Sequence, residues 1–172
     1  MRILSVLAVM AALAISYACE KKKTEAVREV KKEQRIMDDA NLLTAQEEDI
    51  IFSMMQDVER KIGSQMAVLT IGTLNGEEIE SFSLRMANGM GLGRKDYDDG
   101  ILITVSLADR KTSIEVGLGL EKIIKDELAN KIIREDMGPR FGKDDFFNGI
   151  KVAVEKIKTL IEENKELVGQ RP

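Results

Sequence analysis

The apolar residues of this chain switch between helical and strand periods, and each switch marks an element. Ile50, Ile51, Met54, Met55, Val58 and Ile62 recur every three to four residues behind Thr44-Ala45-Gln46-Glu47. That is the spacing of a capping box, so a helix is predicted over 45–62, stopped by Gly63. Met66 to Ile71 is a short apolar run with β-branched content, and it reads as an interior strand. Ile79, Phe82 and Met86 share one face of a second predicted helix over 77–88. Ile101, Leu102, Ile103, Val105 and Leu107 are nearly continuous, the pattern of a strand covered on both faces. The polar break Ala108-Asp109-Arg110-Lys111 follows, and Thr112 to Val116 then alternates, which predicts an antiparallel hairpin. A third helix is predicted over 121–136, burying Ile123, Ile124, Leu128, Ile132 and Ile133, with Gly138-Pro139 breaking it. A loop carrying Phe141, Phe146 and Phe147 leads through Gly149 into a last helix ending near Ile161.

More than a dozen residues, a helix among them, separate the first two strands. They are therefore expected to run parallel, joined by a right-handed crossover. Helices must then cover both faces of a small mixed sheet, which predicts a single-domain, three-layer α/β/α sandwich.

The N-terminal residues do not belong to that pattern. Residues 1–18 place Arg2 before an apolar run from Ile3 to Ile15, about 13 residues against the ~20 a bilayer requires, and so read as a signal peptide. Ser16-Tyr17-Ala18 precedes Cys19, the one cysteine of the chain, which is the expected site of lipid attachment. Residues 20–35 hold seven basic and four acidic residues and almost nothing to bury, and read as a solvated tether near anionic headgroups. The domain is expected over 36–165, with 166–172 as a tail.

Charge and composition narrow the chemistry. Residues 36–172 hold 18 basic and 26 acidic residues, a net of −8, which disfavours nucleic acid and suits a divalent cation. No histidine occurs, so mechanisms that need an imidazole base, or a histidine ligand to zinc, are excluded.

Candidate residues cluster beside the hairpin. Asp98 and Asp99 stand directly before the buried strand, and the antiparallel return brings Gly117-Leu118-Gly119-Leu120-Glu121 next to them, with Asp126 early in the following helix. Three carboxylates with carbonyl-rich glycine loops nearby are expected to hold calcium or magnesium, hard cations that prefer oxygen. Asp109 lies at the far turn, roughly 26 Å away at about 3.3 Å per residue. It pairs instead with Asp38 as a weaker second site near the carboxyl ends of the parallel strands. Gly89-Met90-Gly91-Leu92-Gly93 lacks the strand-before, helix-after setting of a dinucleotide loop and reads as a flexible border. Arg94 and Lys95 beside it are positioned to hold a substrate phosphate.

Taken in order, Ile36-Met37-Asp38-Asp39-Ala40-Asn41-Leu42-Leu43-Thr44, Gly63 to Ile71, Gly91-Leu92-Gly93, Asp98-Asp99-Gly100-Ile101-Leu102-Ile103, Asp109-Arg110-Lys111, Ile114 to Glu121, Asp126 and Pro139-Arg140-Phe141 resemble the TPM domain over roughly residues 36–160. That resemblance implies an α/β/α sandwich with a small mixed sheet, and divalent-metal binding at acidic loops in some members. The family includes a thylakoid-lumen protein of plants linked to photosystem II maintenance, with acid phosphatase activity in the plant branch, and many bacterial envelope proteins. The leading expectation is a membrane-tethered, cation-binding accessory domain of the bacterial envelope acting on or beside a membrane protein. A metal-dependent phosphatase is one alternative, and a non-catalytic interaction module using the Phe141, Phe146 and Phe147 loop is another.

If Cys19 carries the lipid, Cys19→Ser is expected to leave the protein unprocessed or to release it into the soluble fraction on cell fractionation. A variant cleaved at the same place that still sediments with membranes would remove the anchor.

Overall fold

Strand and helix boundaries follow the apolar periods closely. In the computed structural model, which describes residues 31–172, the chain runs β1 (Ile36–Asp38), α1 (Ala45–Lys61), β2 (Gln65–Ile71), α2 (Ile79–Met90), β3 (Gly100–Ser106) and β4 (Lys111–Val116). It continues through α3 (Asp126–Lys131), a π-helical turn (Ile132–Met137), α4 (Gly138–Phe141) and α5 (Phe146–Glu163). The signal peptide, Cys19 and most of the tether lie outside the described residues.

The sheet order is β1-β2-β3-β4, with β1, β2 and β3 parallel and β4 antiparallel to β3. Every residue of β3 is buried, as its continuous apolar run requires. One sheet face carries Met66, Val68, Ile101, Ile103, Val105 and Ile114 into a large core completed by α1, α5 and the π-helical turn. The other carries Ala67, Leu69, Ile71 and Leu102 against α2 alone. This is the expected three-layer sandwich, with one thick layer and one thin one. On that face β4 carries Lys111, Ser113 and Glu115, with Glu115 opposite Leu102.

Local signals behave as their chemistry dictates. The Thr44 hydroxyl accepts from the Glu47 backbone N–H while the Glu47 carboxylate accepts from the Thr44 backbone N–H, closing the capping box that starts α1. The helix after the hairpin begins at Asp126 rather than near 121, since residues 117–124 fold into turns that bury Leu120 and Ile124. Gly138-Pro139 does not break that helix. The Gly138 N–H reaches back to the Ile133 carbonyl in π register, and Pro139, which has no N–H to place, sits inside a segment that stays helical to Phe141. The aromatic loop is likewise shorter than expected: Phe146 and Phe147 fall in the first turn of α5, capped by Asp145. Phe141 and Phe147 pack against the core.

Both ends of the domain are longer than the sequence pattern suggests. Lys32–Gln34 forms a 3-10 turn, Arg35 is buried, and its guanidinium pairs with Glu59 at 3.0 Å. The last residues assigned to the tether therefore belong to the folded unit, which spans Lys32–Pro172. Nor is 166–172 a free tail, since the Gly169 N–H bonds the Gly119 carbonyl at 2.8 Å and Arg171 pairs with Asp98.

Candidate functional site

The hairpin does bring the chain before β3 against the loop after β4. The Asp98 carbonyl accepts from Gly119 N–H at 3.0 Å, and Gly117 N–H bonds the Gly100 carbonyl at 2.8 Å. A Cβ at Gly117 or Gly119 would collide with the carbonyls of Asp98 and Tyr97, so the two glycines permit this approach. The two neighbouring aspartates nevertheless meet different fates.

Asp99 is fully buried. Its carboxylate accepts from the Arg94 backbone N–H at 2.8 Å, from Arg94 Nε at 2.9 Å and from Arg94 Nη2 at 2.6 Å. The guanidinium in turn lies 3.8 Å from the centroid of the Tyr97 ring, a cation–π contact. This ion pair closes the loop between α2 and β3. Within it Gly93 has φ 96°, and a Cβ there would stand 2.6 Å from the Gly100 nitrogen. Its N–H donates to Gln65 Oε1 at 3.0 Å, while Gln65 Nε2 donates to Glu59 at 2.9 Å. The glycine-rich stretch is thus a tight closure rather than a flexible border. Arg94 is occupied by Asp99 instead of standing free for a phosphate.

Asp98 remains at the surface, in the left-handed region with φ 47°, paired with Arg171. It lines a cleft of about 440 Å³ together with Leu84, Gly100, Glu115, Leu118 and Glu121. Glu115 is a carboxylate that the acidic motifs of the sequence do not single out. Its carboxyl is held above the usual glutamate range, first by partial burial, then by the negative charges of Asp126 and Glu80. Strand alternation alone could have flagged it, since Glu115 falls between Ile114 and Val116 on the opposite sheet face.

Asp98, Asp99 and Asp126 therefore do not assemble as one set. Among the described residues no three acidic side chains stand close enough to form a ready-made metal cage. Asp126 opens α3, where a carboxylate complements the positive helix end, and its charge is felt by Glu115.

The second pair of acids is fully engaged in holding loops. Asp38 accepts from the backbone N–H groups of Leu42 and Leu43 at 3.0 and 2.9 Å and from the Thr70 hydroxyl. Asp109 accepts from Ser106 Oγ at 2.6 Å and Leu74 N–H at 2.7 Å, bonds that hold its carboxyl below the ordinary range.

Residues 36–160 match the TPM domain, which is more than half of the chain. The chain belongs to the TPM-domain family. Solved structures carry the same fold. The N-terminal domain of a P. gingivalis protein is 25% identical, with a TM-score of 0.72 over 80% of this chain and 92% of that one. The BA42 protein of the psychrophilic bacterium Bizionia argentinensis is 19% identical, with a TM-score of 0.61 over 76% and 91%. The N-terminal domain of a Corynebacterium glutamicum protein is 10% identical, with a TM-score of 0.60 over 86% and 88%. A comparison with curated proteins gives no match. TPM-domain proteins are exported or reside in the cell envelope, and among the described residues no helix is long and apolar enough to cross a membrane.

In this TPM domain the burial of Asp99 against Arg94 sets the sign of a substitution there. Three neighbouring carboxylates would repel, so neutralising Asp99 would stabilise the domain without metal. With Arg94 as its partner, Asp99→Asn instead leaves a partly exposed guanidinium without its counter-charge, and is expected to cost about 1–3 kcal/mol in denaturant unfolding. An unchanged or raised midpoint would show that the pair contributes nothing.

Proposed function

We propose that this TPM domain is a membrane-tethered accessory module of the bacterial envelope that takes a divalent cation, calcium or magnesium, at the acidic cleft lined by Asp98 and Glu115, with the charge of Asp126 reaching Glu115 from the head of α3. The observation that carries this reading is the cleft itself, which Asp98, Glu115 and Glu121 line together; partial burial and the negative charges of Asp126 and Glu80 also push the Glu115 carboxyl up. A nearby cation would relieve that repulsion and favour the ionised form.

Asp99 is left out of the donor set because it is fully buried and Arg94 already supplies three donors to its carboxylate, whereas Asp98 lies at the surface and its partner Arg171 would give way to the cation. With no three acidic side chains gathered among the described residues, a cation here would keep much of its water, as magnesium commonly does. Binding would accordingly be weak, on the order of 10⁻⁴–10⁻³ M, the range of extracellular calcium modules. The lipid expected on Cys19 would hold the domain at a membrane surface beside its protein partner.

The sign of the pH effect comes from linkage. Glu115 binds its proton more readily folded than unfolded, so the native state loses stability as pH rises from the unfolded value through the raised folded one. Glu115→Gln removes that loss. Without added cation, the variant of the mature chain in detergent is expected to melt about 1–3 °C higher at neutral pH. No such gain is expected below the unfolded glutamate value, at about pH 4. The wild-type melting temperature should rise with calcium or magnesium while the variant's rises much less. Equal responses in the two proteins, read by calorimetry, would remove the cation from this cleft.

A further inference from the structure

A larger cleft of about 650 Å³ opens at the other end of the sheet, against the carboxyl end of β3. Open α/β sheets take ligands at the carboxyl ends of their parallel strands, and this is that end for β2 and β3. One wall is the β3–β4 turn, with Leu107, Arg110 and Thr112, and the other is formed by the π-helical turn and α4, with Ile133, Arg134 and Phe141. The π turn carries Ile133 and Arg134 to this place, and such turns recur at functional sites.

The rim is basic although the domain as a whole is acidic. Lys111 pairs with Glu78 at 3.2 Å and Arg134 with its neighbour Glu135 at 3.1 Å, both in exposed contacts that count for little. Among the described residues no side chain pairs with Arg110. Arg110 is also held at φ 51°, an uncommon conformation for a residue of its size. Inside the rim the wall is aromatic, since Phe141 and Phe146 meet with ring centroids 5.2 Å apart at 41°. Asp144, on the same rim, lowers the positive potential and works against a doubly charged guest.

We propose that this cleft binds a monocarboxylate carried on an apolar or aromatic body, with Arg110 as the principal anion contact, Arg134 as the second and the phenylalanine wall receiving the apolar part. A guanidinium fork matches a carboxylate in shape and charge. The carboxylate could belong to a free organic acid or to the end of a peptide, and these are separable by experiment. The site is distinct from the acidic cleft, and its test does not depend on any cation.

The test is titration of the ¹⁵N-labelled mature chain in detergent with N-acetylphenylalanine, its neutral amide, phenyl phosphate, and an acetylated heptapeptide ending in phenylalanine. N-acetylphenylalanine is expected to shift the amides of Thr112, Gly138 and Gly142, with the amide binding about tenfold more weakly. Arg110→Asn, which keeps a residue tolerant of positive φ, should weaken the carboxylate about tenfold, and Arg134→Gln severalfold. Tighter binding of the heptapeptide than of the single residue would assign the carboxylate to a peptide end, and equal or weaker binding to a free acid. Absence of shifts in wild type at about 10 mM ligand, equal binding of acid and amide, full affinity in both variants, or tighter binding of phenyl phosphate would each overturn the proposal.

Discussion

The Asp99 carboxylate lies out of reach of water at the head of β3, and the acidic end of the domain is arranged by the cost of leaving it there uncompensated. Arg94 meets it with three donors, which fixes the loop from α2, turns Gly93 against Gly100 and stacks the guanidinium on Tyr97. A buried charge deprived of its partner is destabilising by several kcal/mol, so the fold holds both or neither. Asp98, one residue earlier, is left at the surface with a positive φ and its backbone docked on the glycine loop.

That division of labour decides which acids are available for chemistry. Two adjacent carboxylates look alike in a sequence, but Asp99 is buried against Arg94 whereas Asp98 faces a cleft in an exposed pair with Arg171. The cleft gains its electrostatic character from Glu115, which strand alternation turns to the α2 side of the sheet, opposite Leu102. The opposite end of the sheet has the opposite character, since Asp38 and Asp109 are consumed in loop hydrogen bonds and the side chains that remain at the rim include Arg110 and Arg134.

The fold was legible because its signals are local. The run at Ile101 to Val105 announces a strand buried on both faces, the Thr44 and Glu47 spacing announces a helix start, and the short break at Asp109 announces a hairpin. What stayed hidden depends on contacts with no sequence signature. β1 has three residues, too few to show a period. The π register that accommodates Pro139 is set by tertiary packing around Ile132 and Met137. Asp98 finds Arg171 across 73 positions, and Glu115 feels Glu80 from a helix two elements away. Proximity in sequence joined Asp99 to Asp98, and burial separated them.

The most direct measurement is a ¹³C NMR titration that tracks the side-chain carboxyls of Asp98, Asp99, Glu115 and Asp126 individually, with and without calcium or magnesium. Glu115 is expected to titrate above the ordinary glutamate range and to move down when cation is added, while the Asp99 signal does not respond to the cation. A Glu115 that titrates normally and ignores the cation, with Asp98, Asp99 and Asp126 responding together, would contradict this division and restore the three-aspartate site.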